Sequence, residues 1–94
     1  MEFEWDDAKA AENRRKHGVS FEEAEDMFAS AAFFEDFGHS EREPRYLAIG
    51  FSAKGRMLTV SFTRPTAGVY RIISARKANR REQERYGKAK RENA

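Results

Sequence analysis

Three alternating runs, Arg45–Ser52, Met57–Arg64 and Val69–Ala78, dominate the second half of this 94-residue chain. Alternation at the period of a pleated strand marks segments with one buried face. The segments between them, Ala53-Lys54-Gly55-Arg56 and Pro65-Thr66-Ala67-Gly68, are short and carry turn-forming residues. Turns this short make neighbouring strands antiparallel. An antiparallel sheet is therefore the frame on which the remaining segments must be hung. On this pattern Leu47, Ile49 and Phe51 are expected to share the core face with Leu58, Val60 and Phe62. Ala48, Gly50, Thr59 and Ser61 are left for the opposite face, which reads as shallow and open.

The first half supplies the cover. Phe3 and Trp5 alternate with Glu2 and Glu4, as in a short strand. Asp6 is placed to cap a helix over residues 7–17, and Gly18 to end it. Ser20 and Glu23 form a capping box for a second helix over residues 21–29, whose Phe21, Ala24, Met27 and Phe28 share a face. Residues 32–37 read as a further strand, with Phe33 and Phe34 on opposite sides, and 38–44 as a polar loop. Asn79 and Glu82 repeat the capping pattern ahead of a last, very polar helix, with fraying expected over 87–94. The expected fold is one α+β domain spanning residues 1–94, with the order β-α-α-β-β-β(β)-α. Its antiparallel sheet carries two helices on one face and ends in a polar C-terminal helix.

Charge divides the chain unevenly. Residues 1–63 hold 8 Lys/Arg against 13 Asp/Glu, and residues 64–94 hold 10 against 3. The C-terminal third should form a basic surface, which suits a phosphate-bearing partner, although a plain solvated face accounts for the same charges. Cysteine is absent, which excludes disulfides and thiolate zinc sites and fits a reducing compartment. The acidic N-terminus does not resemble a signal peptide, and no apolar run is long enough for a membrane span. A cytoplasmic protein without membrane contact is expected.

The strand at 69–78 delivers arginines to one edge of the protein. If alternation is unbroken, Arg71 and Arg76 point to opposite faces. Arg71 and Arg76 are the first candidates for stabilising charge on a phosphate, because guanidinium is always charged and bidentate toward such oxygens. Arg64, Lys77, Arg80, Arg81 and Arg85 are candidates for holding a nucleic-acid backbone. His17 is a candidate proton carrier by its ordinary pKa of about 6.5, but a histidine in the last turn of a helix also serves as a simple cap. Tyr86 can donate a proton, stack on a base or anchor the last helix. No metal-ligating pattern and no glycine-rich phosphate loop is visible, so neither a metal nor a cofactor is expected.

Phe3-Glu4-Trp5-Asp6, Lys16-His17-Gly18, Phe21-Glu22-Glu23-Ala24, Arg71-Ile72-Ile73-Ser74-Ala75-Arg76-Lys77-Ala78 and Glu84-Arg85-Tyr86, taken in order, resemble the BrnT family. The resemblance spans nearly the whole chain. It implies a RelE-like fold and a metal-independent ribonuclease toxin of a bacterial type II toxin–antitoxin system. It also implies an RNA substrate, inhibition of translation and a BrnA-like antitoxin as partner. A non-catalytic nucleic-acid-binding module and a protein-interaction domain with a basic face are the alternatives. The oligomeric state is not legible.

Overall fold

The computed structural model describes residues 1–39 and 43–92. Its elements follow the expected order. Strand β1 (Glu2–Glu4) leads into helix α1 (Asp7–His17) and helix α2 (Phe21–Asp26), which tightens into a 3₁₀ turn at Met27–Ser30. Strands β2 (Ala32–Glu35), β3 (Arg45–Phe51), β4 (Met57–Thr63) and β5 (Val69–Lys77) follow, and helix α3 (Arg80–Glu92) closes the chain. The polar loop expected at 38–44 lies partly outside the described residues.

The caps act as the sequence predicts. Asp6 accepts a bond from the Lys9 N–H at 2.9 Å. Gly18 ends α1 at φ 70°, a left-handed conformation that costs glycine nothing, and its N–H reaches the Arg14 carbonyl. Ser20 accepts from the Glu23 N–H at 3.1 Å. Asn79 and Glu82 complete a reciprocal box, each side chain accepting from the other's backbone N–H at 2.9 Å. Helix α3 continues through Gly87 to Glu92.

The sheet order is β1-β5-β4-β3-β2. It is mixed rather than wholly antiparallel, because β1 lies parallel to β5 with Phe3 opposite Tyr70. The connection from β1 to its neighbour passes through residues 5–68, so no hairpin constrains its direction.

Two register features depart from the expectation, and both decide which face a residue occupies. The first is the β3–β4 hairpin. Ser52 N–H bonds the Arg56 carbonyl at 3.0 Å, so Arg56 belongs to the ladder, and the loop is Ala53-Lys54-Gly55 with Gly55 at φ 80°. A four-residue turn would set Phe51 opposite Leu58; the three-residue loop sets it opposite Met57. That single-residue difference moves Leu47, Ile49 and Phe51 to the face shared with Thr59, Ser61 and Thr63. Tyr46, Ala48 and Gly50 take the face shared with Leu58, Val60 and Phe62. The second feature is a bulge in β5. Ile72 pairs with Phe62 and Ser74 with Ser61, which leaves Ile73 as an extra residue.

Helices α1 and α2 cover the face bearing Leu58, Val60 and Phe62. There Val19, Phe21, Ala24, Met27 and Phe28 bury against Ala48, Ile72 and Ala75. Phe28 is central: its ring lies 4.8 Å from Phe3, 5.1 Å from Phe62 and 5.7 Å from Tyr70. Fully burying such side chains contributes about 1.5–3 kcal/mol each. Gly50 permits the closest approach, since a Cβ there would stand 3.0 Å from the Ala31 backbone. Helix α3 packs on the other face, over β2 and β3.

Helix α1 contributes little apolar surface and is held by an amide instead. Asn13 is buried. Its Nδ2 donates to the Ala75 carbonyl at 2.8 Å and the Val19 carbonyl at 3.0 Å, while its Oδ1 accepts from the Ala75 N–H at 3.1 Å. Beyond the short β1, this side chain serves the backbone of β5 as a neighbouring strand would.

Candidate functional site

The bulge at Ile73 determines the disposition of the cations on β5. Arg71 pairs with Thr63 and Arg76 with Thr59, and both threonines belong to the face that carries α3. Unbroken alternation would have sent the two arginines to opposite faces; the extra residue brings them to the same one. Ser74 joins them, opposite Ser61.

Each arginine is engaged. Arg71 Nε donates to Glu4 Oε2 at 2.6 Å, a half-exposed pair beside the β1 edge. Arg76 grips Glu82 with two bonds of 2.8 and 2.7 Å. Burial raises the Glu82 pKa, but the Arg76 guanidinium and the Asn79 N–H outweigh it and leave that pKa below its ordinary value. Glu82 thus closes the α3 cap and neutralises Arg76 together. This pair, with the aromatic contacts below, answers how so polar a helix stays on the sheet.

The remaining candidates fall into three places. Near α3, Arg85 lies over the Phe34 ring at 4.1 Å, and Tyr86 meets Phe51 edge-on at 5.8 Å. Arg80 is almost wholly exposed, with Glu84 at 3.7 Å, and Arg81 is exposed. At the opposite end of β5, Arg64 lies over the Tyr70 ring at 5.1 Å, and that ring packs with Phe28 and Phe62 on the face opposite the one that carries Arg71. His17 is in neither group. It lines a shallow cleft of about 210 Å³ between α1 and β5, with Lys16, Ile73 and Ser74. The expected constellation therefore divides: Arg76, Arg80, Arg81, Arg85 and Tyr86 gather around α3, Lys77 stands opposite Leu58 on the face that carries α1 and α2, and Arg71, Arg64 and His17 lie apart from that group.

Lys77 opens onto a larger cleft of about 400 Å³ at the hairpin end of the sheet, lined also by Phe51, Arg56, Met57, Ala78 and Gln83. Arg56 is rigidly held there. Its Nε and Nη2 reach Glu23 at 2.8 and 2.5 Å, and Nη2 also reaches the Gly18 carbonyl at 2.8 Å. Glu23 is buried and takes a further bond from the Ser52 hydroxyl at 2.7 Å. Hydrogen bonding from Arg56 is the main reason its pKa falls to about 2, against the opposing effect of burial. Sequence reasoning assigned Glu23 only to a helix cap and Arg56 only to a turn. The available signal was an acidic residue inside an otherwise core-facing helix, which demands a cationic partner. Among the described residues, no group of three or more His, Cys, Asp or Glu side chains is positioned to hold a metal ion.

The class defined so far is a small α+β protein. Its mixed five-stranded sheet carries two helices on one face and a basic C-terminal helix on the other. A sequence profile described as the ribonuclease toxin BrnT of type II toxin–antitoxin systems matches residues 5–82. The chain belongs to that BrnT family. The fold is similar to the 1.1 Å crystal structure of the Brucella abortus ribonuclease toxin BrnT, with a TM-score of 0.70 and 28% identity. The match covers 85% of this chain and 99% of that one. No curated protein sequence matches the chain.

Proposed function

We propose that this toxin is a metal-independent endoribonuclease. In this reading it cleaves RNA, inhibits translation in the cytoplasm and is neutralised by a BrnA-like antitoxin. The observation that carries the reading is the family membership over residues 5–82. The shared face of Arg71 and Arg76 supports it.

Without a metal, the substrate's own 2′-OH attacks the adjacent phosphorus, and the 5′-oxygen leaves with a proton. Such a reaction needs a base, an acid and fixed cations for the phosphorane charge. Arg76 and Arg71 supply cations, while Lys77, Arg80, Arg81, Arg85 and Arg64 hold flanking phosphates. An RNA phosphate would compete with Glu82 for Arg76 and with Glu4 for Arg71. Tyr86 is the proton carrier nearest the α3 group, and His17 serves only if substrate extends to the cleft between α1 and β5.

The test is cleavage of single-stranded RNA by purified protein in excess chelator. Arg71→Ala and Arg76→Ala should each slow cleavage on the order of 10²-fold or more. Far-ultraviolet circular dichroism should be unchanged. Melting is followed for Arg76→Ala, because Glu82 loses its partner in that variant. Full activity in both variants would remove these arginines from the mechanism, and salt-sensitive binding without cleavage would replace the enzyme by a binding module.

A further inference from the structure

We propose that Glu4 is the general base of the cleavage reaction, the group that takes the proton from the substrate's 2′-OH. The proposal rests on the ribonuclease reading and adds a proton acceptor to it.

The two arginines on the α3 face each hold a carboxylate, and the two carboxylates differ. Glu82 is locked. It is 8% exposed, and Arg76 donates to both of its oxygens at 2.8 and 2.7 Å. Its Oε1 also accepts from the Asn79 N–H at 2.9 Å. A carboxylate so enclosed cannot receive a substrate hydroxyl without unmaking the α3 cap. Glu4 is open. Its side chain is 44% exposed, and among the described residues Arg71 is its one partner, donating from Nε to Oε2 at 2.6 Å. Its Oε1 takes no hydrogen bond from a described residue.

The sheet fixes where Glu4 stands. It lies beside Arg71 in the parallel β1–β5 ladder, and Arg71 lies beside Thr63 in the β4–β5 ladder. Residues level with one another in a ladder point to the same face. Glu4 therefore shares a face with Arg71, Ser74 and Arg76, while its neighbour Phe3 packs on Phe28 at the other face. Glu43 also comes within 4.0 Å of Arg71, but it lies outside the strands, where side chains are held less precisely. Tyr86, against Phe51 on β3, is separated from β1 by β4 and β5. An exposed ion pair such as Glu4–Arg71 contributes little to stability, so folding alone does not account for it.

A phosphate that draws Arg71 off Glu4 carries the neighbouring ribose to the carboxylate it has uncovered. Glu4 takes the proton of the 2′-OH as the 2′-oxygen bonds to phosphorus. Arg71 and Arg76 meet the charge on the phosphorane oxygens. The P–O5′ bond breaks, and the 5′-oxygen takes a proton from water. The hydroxide left by that water receives the proton from Glu4, which restores the carboxylate. The products are a 2′,3′-cyclic phosphate and a 5′-hydroxyl.

The test is the pH–rate profile for cleavage of a single-stranded RNA oligonucleotide in excess chelator. Glu4→Gln should lower kcat by about 10²- to 10⁴-fold, the worth of a positioned base, and leave KM nearly unchanged. It should also remove the acid limb of the profile, the fall in rate that reports protonation of the base. Glu4→Asp keeps a carboxylate and should keep the limb at a reduced rate. Glu43→Gln should match the wild type in both. Melting curves, and circular dichroism at each pH, check folding. If Glu4→Gln cleaves at the wild-type rate or keeps the acid limb, Glu4 is not the base, while cleavage by the wild type keeps the ribonuclease reading. Loss of the limb in Glu43→Gln or His17→Ala instead assigns the proton to that residue and overturns the proposal. Cleavage of a 2′-O-methyl oligonucleotide by the wild type overturns it too, because no 2′ proton is then there to be taken. A wild type that cleaves no RNA overturns the ribonuclease reading and the base with it.

Discussion

Glu23 shows how much one side chain can carry. It lies on α2, and its carboxylate joins that helix to the β3–β4 hairpin through Ser52 and Arg56. Its folded pKa of about 2 lies below its ordinary value of 4.5. A depressed carboxylate pKa adds stability above the unfolded value, and that stability is lost as pH falls through the folded one. Wild-type stability should therefore decline between about pH 4.5 and pH 2 through this group. Glu23→Gln should be destabilised near neutrality by about 1–3 kcal/mol, since Arg56 loses its counter-charge. Its acid limb should also be flatter than the wild type's, as urea midpoints across that pH range will show. Parallel acid limbs would mean the pair contributes nothing to the pH dependence.

Among elements, α1 and β5 were the least legible together. The period of α1 shows only Ala8, Ala10 and Ala11 as apolar candidates, too thin a stripe to hold a helix on a sheet. Asn13 does the holding, by bonds to the β5 backbone that no sequence pattern announces. Asn13→Leu should leave the Ala75 N–H and C=O and the Val19 C=O without that partner. Each buried group left unpaired costs about 1–3 kcal/mol, so the variant should lose at least about 3 kcal/mol. Urea denaturation reads the loss, and hydrogen exchange at the Ala75 amide should quicken. A loss under about 1 kcal/mol would show that water replaces the amide. The caps, by contrast, were fully legible, because Asp6, Ser20 and Asn79 act on backbone groups only three residues away.

At the scale of the molecule, the segregation of charge becomes a surface. Helix α3 presents Arg80 and Arg81 to solvent, with Arg76 and Arg85 tied to Glu82 and Phe34 behind them. An antitoxin carrying an acidic segment should associate there quickly and in a salt-sensitive way. The double reversal Arg80→Glu with Arg81→Glu should slow that association in stopped-flow mixing, with a smaller effect on dissociation. An unchanged rate and salt dependence would place the antitoxin elsewhere on the toxin.

Local physics let the sequence determine the element order, the helix starts, the strand identities and the basic C-terminal third, whereas α3 runs on through Gly87 to Glu92 where fraying was expected. Each depends on interactions a few residues apart or on composition. The tertiary structure alone decided the faces. One residue fewer in the hairpin loop exchanged the two sides of β3, and one residue more at Ile73 placed Arg71 and Arg76 on the same side. Strand periodicity reports only that neighbours alternate; which side is inward depends on parity, and parity is set by loop and bulge counts. The hairpin cleft was invisible for the same reason. Phe51, Arg56, Lys77 and Gln83 meet only after β3, β4, β5 and α3 have been brought into register.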